Sequence, residues 1–236
     1  MRVPTHRTHS LTHSPSPFDP PAHLPTHVQS KKGALWSRKS LNTNTFSTVF
    51  SFRISGQGKK FFGDGMALWF IQQAYYVEGD FHGSVERFTG FGIIFDTFKN
   101  TETLSYHRDI SIVYNDGEKT AEFMMEKKEG CDANIRYHEE RGDFSVHSLS
   151  RAKVVLQEGR KVTVMVDAKN EGDFVECASM ELPKSLNENW AKSAHIGVTA
   201  STGQLVSIQR KKKYYNHNHN AIPPPWHPDI TPIHAP

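Results

Sequence analysis

The segment FGIIFDTFKN, residues 91–100, joins a strongly apolar run to an acid and an amide. Its first five residues are typical of a β-strand that is buried on both faces. Asp96 then interrupts the apolar run, and Asn100 follows four residues later. A buried strand gains nothing by ending in a carboxylate unless that carboxylate has a partner. Asp96 is therefore the first candidate for a functional residue.

Short strand patterns surround this segment. The stretch FSTVFSFRI, residues 46–54, alternates apolar and polar residues with the period of two that a half-buried strand requires. Further strand-like runs are GMALWF, DISIVY, KVVLQ, KVTVMVD and HIGVTAS, separated by turn signals such as SGQG, YNDG, QEGR and KNEGD. KVVLQ and KVTVMVD form a predicted hairpin, with Val162, Val164 and Val166 on one face. No segment keeps a helical period over three turns, so the sequence predicts an all-β, antiparallel β-sandwich.

The composition divides the chain of 236 residues into three parts. Twelve of the 13 prolines and nine of the 14 histidines lie near the two ends. We therefore expect one domain over residues 29–213, between disordered His/Pro-rich tails at residues 1–28 and 214–236. Neither tail has the apolar centre of a signal peptide, and no run of 18 apolar residues predicts a membrane span.

The charge pattern argues against a nucleic-acid partner. The formal net charge is only +3, and the one basic run, Arg210–Lys213, lies at the edge of the predicted domain. Such a run is usually a solvated terminus, and no aromatic-flanked basic stripe accompanies it. We expect no nucleic-acid binding.

Three interpretations of Asp96 compete. It caps a turn by accepting backbone N–H groups from Phe98 or Lys99. It forms half of a catalytic carboxylate pair. Or it ligates a hard cation, since DTFKN offers a carboxylate, the Phe98 carbonyl and the Asn100 amide oxygen, and Ca²⁺ prefers such ligands.

A second acid, Asp64, stands in a similar place. The segment GDGMALWF puts it between Gly63 and Gly65 at the start of an apolar strand, where glycine allows a tight bend and a close approach to a ligand. Two acids next to the ends of apolar strands, with Phe62 and Phe98 nearby, resemble a polar site lined by aromatic rings. Sugars bind in this way, with hydroxyls on carboxylate and amide groups and C–H faces on aromatic carbon.

The two cysteines, Cys131 and Cys177, both fall within the predicted domain. Their spacing leaves open whether they stay reduced or form one disulfide.

An ordered set of motifs resembles the L-type (legume-type) lectins. KKGALWS, GDGMALWF, GFGIIFDTFKN, YNDG, the GC…EC cysteine pair and HIGVTASTGQL occur in the order found in that family, over roughly residues 30–205. Within that family it resembles the mannose-binding cargo receptors of the endoplasmic reticulum, the ER–Golgi intermediate compartment and the Golgi. The resemblance implies a concanavalin A-like sandwich, of the jelly-roll type, that binds high-mannose N-glycans of glycoproteins with the help of calcium.

The resemblance also assigns roles to residues that match the family's motifs. It implies calcium ligands at Asp96, the Phe98 carbonyl and Asn100, and a disulfide between Cys131 and Cys177. The implied carbohydrate contacts are Ser30, Asp64, Asn100, Gly203, Gln204 and Leu205. Several such sites, in an oligomer or on a branched glycan, would raise a weak affinity for one mannose. Family members are usually membrane-anchored and act in ER–Golgi transport or glycoprotein quality control.

The chain departs from the family pattern in four respects. The stretch EKTAEFMMEKKEGC lacks the His and Asp of the family's second calcium segment, and Asp116, Glu122 and Glu126 are the candidates to replace them. The His/Pro tails stand where the family has its first and last strands, which suggests altered exon boundaries as readily as native ends. The signal peptide and the membrane anchor of the family are not recognisable.

Two rival functions remain. The letters E-x-D-x-x-E at Glu171, Asp173 and Glu176 match a motif of sandwich glycosidases, whose retaining chemistry needs two carboxyls about 5 Å apart. Here Gly172 makes Glu171 a turn residue, so a solvated hairpin tip is the preferred interpretation and we expect no enzyme. An inactive lectin-like scaffold that binds only protein is the other alternative.

Overall fold

The structure, a computed structural model, describes residues 32–55, 65–98, 107–137, 142, 145 and 148–201. Its strands are β1 Lys32–Trp36, β2 Phe46–Phe52, β3 Ile54–Ser55, β4 Gly65–Ile71, β5 Thr89–Asp96, β6 Ile110–Asp116, β7 Glu129–Cys131, β8 Arg136–Tyr137, β9 Ser150–Gln157, β10 Lys161–Asp167, β11 Val175–Glu181 and β12 His195–Ser201. A helix α1 spans Ala121–Glu126, and a 3₁₀ turn spans Trp190–Ser193. Neither of these described helices is long and apolar enough to cross a membrane.

The described strands form two main sheets. One has six strands in the order β1-β12-β4-β5-β6-β7, and the other has four in the order β11-β10-β9-β2. Every pairing within these two sheets is antiparallel, and the small β3–β8 pair is parallel. The prediction of an all-β antiparallel sandwich is confirmed.

The central strands β4 and β5 of the six-stranded sheet are buried on both faces, as the run FGIIF predicts for β5. Phe91, Ile93 and Phe95 of β5 point into the main core between the sheets. Ile94 points the other way, into a second core with Trp69 and other apolar residues. Gly92 makes room for that second core, because a Cβ at this position would lie 2.6 Å from the Trp69 ring.

The predicted hairpin is confirmed, and one helix was missed. β9 and β10 pair antiparallel, and Val162, Val164 and Val166 are buried. Helix α1 has six residues, too few for a helical period to be detected in the sequence. Thr120 begins it by accepting a hydrogen bond from the Phe123 N–H at 3.3 Å.

A disulfide closes one side of the sandwich. Cys131 at the end of β7 and Cys177 in β11 are bonded at 2.04 Å, the pair that the resemblance implied. Cys131 ends strand β7, which extends the six-stranded sheet beside β6. The bond joins the outer strand of one sheet to the outer strand of the other, in the order that the described strands give.

Candidate functional site

Four neighbouring strands begin or end side by side at one end of the six-stranded sheet. Lys32 of β1 pairs with Ser201 of β12, Ser201 pairs with Gly65 of β4, and Gly65 pairs with Asp96 of β5. We call Lys32, Ser201, Gly65 and Asp96 the strand-end row. Because neighbouring strands are antiparallel, residues that are far apart in sequence lie next to one another at this end of the sheet.

The strand-end row adjoins every segment that the sequence singles out for sugar or calcium. Asp96 and Phe98 are described by the structure. The other candidates precede or follow the row by one to four residues and lie outside the described residues: Ser30, Asp64, Asn100, Gly203, Gln204 and Leu205. Four residues of chain span at most about 14 Å. The strand-end row is thus the described part of the chain that borders the candidate segments in sequence.

Gly65 is required at the start of β4. Its φ is +148°, and a Cβ at this position would lie 2.1 Å from the Phe95 carbonyl oxygen. A side chain would therefore force β4 away from β5 at the strand-end row. The close approach of the two backbones explains the second glycine of the GDG motif.

Asp96 caps the turn that follows its strand. Its Oδ1 accepts a hydrogen bond from the Phe98 N–H at 2.9 Å. Its Oδ2 lies 4.0 Å from Nδ1 of His107. A carboxylate has about four lone-pair sites, so accepting one N–H does not by itself exclude a cation as a further partner of the same side chain. The turn cap and the metal ligand are thus compatible roles for one side chain.

Two residues that the sequence reasoning missed lie beside Asp96. The Asp96 N–H donates to the Asp109 carbonyl at 2.9 Å, and the buried His107 places Nε2 3.0 Å from Oδ1 of Asp109. Oδ2 of Asp109 accepts from the Ala133 N–H at 2.8 Å. Asp109 directly precedes the apolar strand ISIVY, the same signal that drew attention to Asp64.

The acids proposed to replace the second calcium segment do not all fit. Asp116 pairs with Thr89 at the far end of β5, seven residues from Asp96 along the strand, or about 23 Å. Asp116 is therefore excluded as a ligand beside Asp96. Glu122 and Glu126 are exposed on α1, and Glu126 forms an ion pair with Lys127 at 2.8 Å.

The oxygen atoms near Asp96 match calcium in kind. Carboxylate and carbonyl oxygens are the ligands that Ca²⁺ prefers, and Asp96 and Phe98 supply one of each. Within the described part of the chain, no group of three or more His, Cys, Asp or Glu residues could hold a metal ion. The described residues therefore account for only part of a ligand set of six to eight oxygens.

Two acids of the glycosidase-like motif, Glu171 and Asp173, lie on a solvated turn, and Glu176 lies in β11. Glu171, Asp173 and Glu176 are exposed. The Glu171 N–H donates to Oδ1 of Asp167 at 3.0 Å, and the Gly172 N–H donates to Oδ2 of the same residue at 2.9 Å. Asp167 thus organises a hairpin tip, which agrees with the turn interpretation of this motif.

His82 lies against the outer face of the six-stranded sheet. Its carbonyl accepts a hydrogen bond from Oγ1 of Thr199, two residues from the end of β12, at 2.6 Å. Its ring packs edge-on against Phe81, with 5.0 Å between the ring centroids. Burial, and to a lesser degree the charge of Lys128, lowers the pKa of His82 to about 4. The imidazole is therefore neutral at physiological pH.

Comparison with known proteins identifies the class to which this sandwich belongs. A sequence profile of the legume-like lectin family matches residues 21–218. The crystal structure of the VIP36 exoplasmic/lumenal domain in its Ca²⁺/Man-bound form is similar, with a TM-score of 0.64 and 26% identity, covering 78% of this chain and 71% of that chain. The chain belongs to the legume-like lectin family.

Two relatives are similar to the chain over about three quarters of its length. It is 29% identical to the VIP36-like protein of Bos taurus over 192 residues, which is 77% of this chain and 50% of that protein. It is 25% identical to protein ERGIC-53 of Chlorocebus aethiops over 182 residues, which is 76% of this chain and 33% of that protein. The chain thus spans half or less of these two relatives.

Proposed function

We propose that this domain binds high-mannose N-glycans of glycoproteins in a calcium-dependent manner. The strand-end row carries the proposal, because the described ends of four neighbouring strands border the motif-bearing segments in sequence. The similar VIP36 domain has a Ca²⁺/Man-bound form, which supports both the sugar class and the metal. The proposed residues are Asp96, the Phe98 carbonyl and Asn100 for calcium.

The proposed sugar contacts are the side chains and loops next to the row. Carboxylate and amide groups at Asp64 and Asn100 accept and donate hydrogen bonds to hydroxyls, and the segment Gly203–Leu205 forms the loop over the sugar, with Ser30 at its edge. Bound calcium would supply positive charge that holds the DTFKN loop in one conformation. Less ordering entropy is then lost when a glycan binds.

The proposed place of action is the early secretory pathway, in glycoprotein transport between the ER and the Golgi or in quality control. Membership of the legume-like lectin family and the similarity to VIP36-like protein and ERGIC-53 support this placement. The disulfide between Cys131 and Cys177 supports an oxidising compartment, since disulfides are rare in the cytosol.

The first experiment measures retention of the oxidised protein on a high-mannose glycan column, with calcium and then with chelator. Calcium-dependent retention that chelator releases is the expected result. Asp64→Asn should abolish retention without changing the melting temperature, whereas the exposed Asp173→Asn should behave like the parent. Retention of Asp64→Asn equal to that of the parent would remove Asp64 from the site.

Two variants separate the turn cap at Asp96 from the metal ligand. Asp96→Asn keeps an oxygen that accepts the Phe98 N–H but removes the charge, so it should retain the calcium-free stability and lose the stabilisation by calcium. Asp96→Ala should lose both. If calcium does not raise the melting temperature of the parent, the metal assignment is wrong.

An inactive lectin-like scaffold is the alternative, and flow-through of the parent in both buffers would favour it. Glycoside hydrolysis is the remaining alternative. Hydrolysis that is detectable in the parent and lost in Glu171→Gln would establish an enzyme.

A further inference from the structure

Asp109 lies where three segments of the chain meet, at the end of the sheet that carries Asp96. Its carbonyl accepts the Asp96 N–H at 2.9 Å, one step beyond the last β5–β6 pair, Phe95 with Ile110. Its side chain crosses to the segment after β7, where Oδ2 accepts the Ala133 N–H at 2.8 Å. One residue thus connects the turn at Asp96, the start of β6 and the segment that follows β7.

The segment that Asp109 contacts is anchored independently of it. Strand β7 pairs with β6, and its last residue, Cys131, is bonded to Cys177 of the four-stranded sheet. Two residues further on, the Ala133 carbonyl accepts the N–H of Ile135, which is buried in the main core. The Ala133 N–H is therefore a donor in a fixed position, and the Asp109 side chain that accepts from it is held there.

The other oxygen of Asp109 holds an imidazole ring beside Asp96. Oδ1 of Asp109 lies 3.0 Å from Nε2 of His107, and an ionised carboxylate only accepts, so Nε2 donates. The side chain of His107 is only 5% exposed, and its Nδ1 lies 4.0 Å from Oδ2 of Asp96. In a close-packed site, a fixed ring at this distance limits the positions that the Asp96 carboxylate can take.

We infer that Asp109 is a positioning residue for the proposed calcium site. It fixes the backbone of Asp96 directly and the carboxylate of Asp96 through the His107 ring, so that this ligand is in place before calcium binds. The inference rests on the proposed function and adds a residue that lies outside the motifs. Removal of a group that orients a metal ligand typically weakens metal binding about ten- to a hundredfold. The reason is that a flexible ligand must be ordered when the metal binds.

The test measures calcium affinity by calorimetry without sugar, together with the calcium-free melting temperature. Asp109→Ala should bind calcium at least about tenfold more weakly than the parent. Asp109→Asn keeps an oxygen for the Ala133 N–H and an amide group for His107, so its calcium affinity should stay within about threefold of the parent. Because Asp109→Asn also lacks the charge, the two variants separate positioning from electrostatic attraction.

Amide hydrogen exchange in the calcium-free protein supplies a readout that does not depend on the metal. The Phe98 N–H, which donates to Oδ1 of Asp96 at 2.9 Å, should exchange about tenfold faster in Asp109→Ala than in the parent. Asp116→Ala is the matched control, because it removes a carboxylate at the far end of β6 that accepts from Oγ of Ser185 at 2.8 Å. It should lower the melting temperature and change neither the calcium affinity nor the exchange of Phe98.

Three results would overturn the inference. Asp109→Ala could bind calcium as tightly as the parent, which would leave Asp109 without a role at the site. Asp109→Asn could lose as much affinity as Asp109→Ala, which would assign the effect to charge. Asp116→Ala could lose as much as Asp109→Ala, which would assign it to general destabilisation.

A further variant and the parent itself complete the test. If Asp109→Ala does not fold, Asp109→Ser replaces it with the same expected loss, since its hydroxyl cannot reach both partners. A parent that binds no calcium would refute the proposed calcium site, and the positioning role with it. That result is distinct from a parent that binds calcium and an Asp109 variant that binds it equally well, which refutes the positioning role alone.

Discussion

Removal of the Cys131–Cys177 disulfide should cost about 4 kcal/mol of unfolding free energy. The two cysteines are 46 residues apart in sequence, and the chain-entropy model gives about 4 kcal/mol for a closed loop of this length. The bond also joins the outer described strands of the two sheets, β7 and β11. A loss of this size is a large part of the 5–15 kcal/mol that holds a typical domain together.

Urea unfolding of Cys131→Ala/Cys177→Ala, followed by far-UV circular dichroism, measures this loss. With a slope of about 2 kcal/mol per M, the midpoint should fall by roughly 2 M. The parent treated with dithiothreitol is the matched control, because it loses the cross-link without any substitution, and its midpoint should fall equally. A loss below about 1 kcal/mol in both samples would refute the entropic argument. A loss in the double variant alone would assign the effect to side-chain packing.

Three further predictions concern stability. Gly65→Ala should destabilise the domain by about 2 kcal/mol or more in urea unfolding, whereas Gly142→Ala, where a Cβ would have no neighbour within 4 Å, should not. The pKa of His82 is about 4 in the folded state and about 6.5 when unfolded. The contribution of neutral His82 to the free energy of unfolding is therefore fully present above pH 6.5 and is lost as the pH falls toward 4. His82→Asn tolerates the φ of +49° and should reduce the loss of stability on acidification by up to about 1.4 kcal/mol per pH unit. The same dependence of melting temperature on pH between 4 and 6.5 in this variant and the parent would contradict this prediction. Asp167→Asn should lower the free energy of unfolding by about 2 kcal/mol, because Oδ2 of the buried Asp167 accepts a hydrogen bond from Nη2 of Arg151 at 2.6 Å. The melting temperatures of Asp167→Asn with and without Arg151→Met would show whether the ion pair is the cause.

The strand pattern could be predicted because it depends on local alternation. The faces of β10 and the double burial of β5 follow from the placement of apolar residues along each strand. Helix α1 and strand β7 could not be predicted in this way. They are short, and pairing with β6 and burial of Met124 in the second core decide their structure.

The fold class, the β9–β10 hairpin and the acids next to strand ends can be predicted from local patterns, because side-chain alternation and turn residues act over a few positions. Which of those acids are neighbours depends on how the strands pair. Strand register puts Asp109, which precedes β6, beside Asp96. It pairs Asp116, the last residue of β6, with Thr89 at the other end of β5. Register depends on pairing between segments far apart in the chain, and no local pattern contains that information.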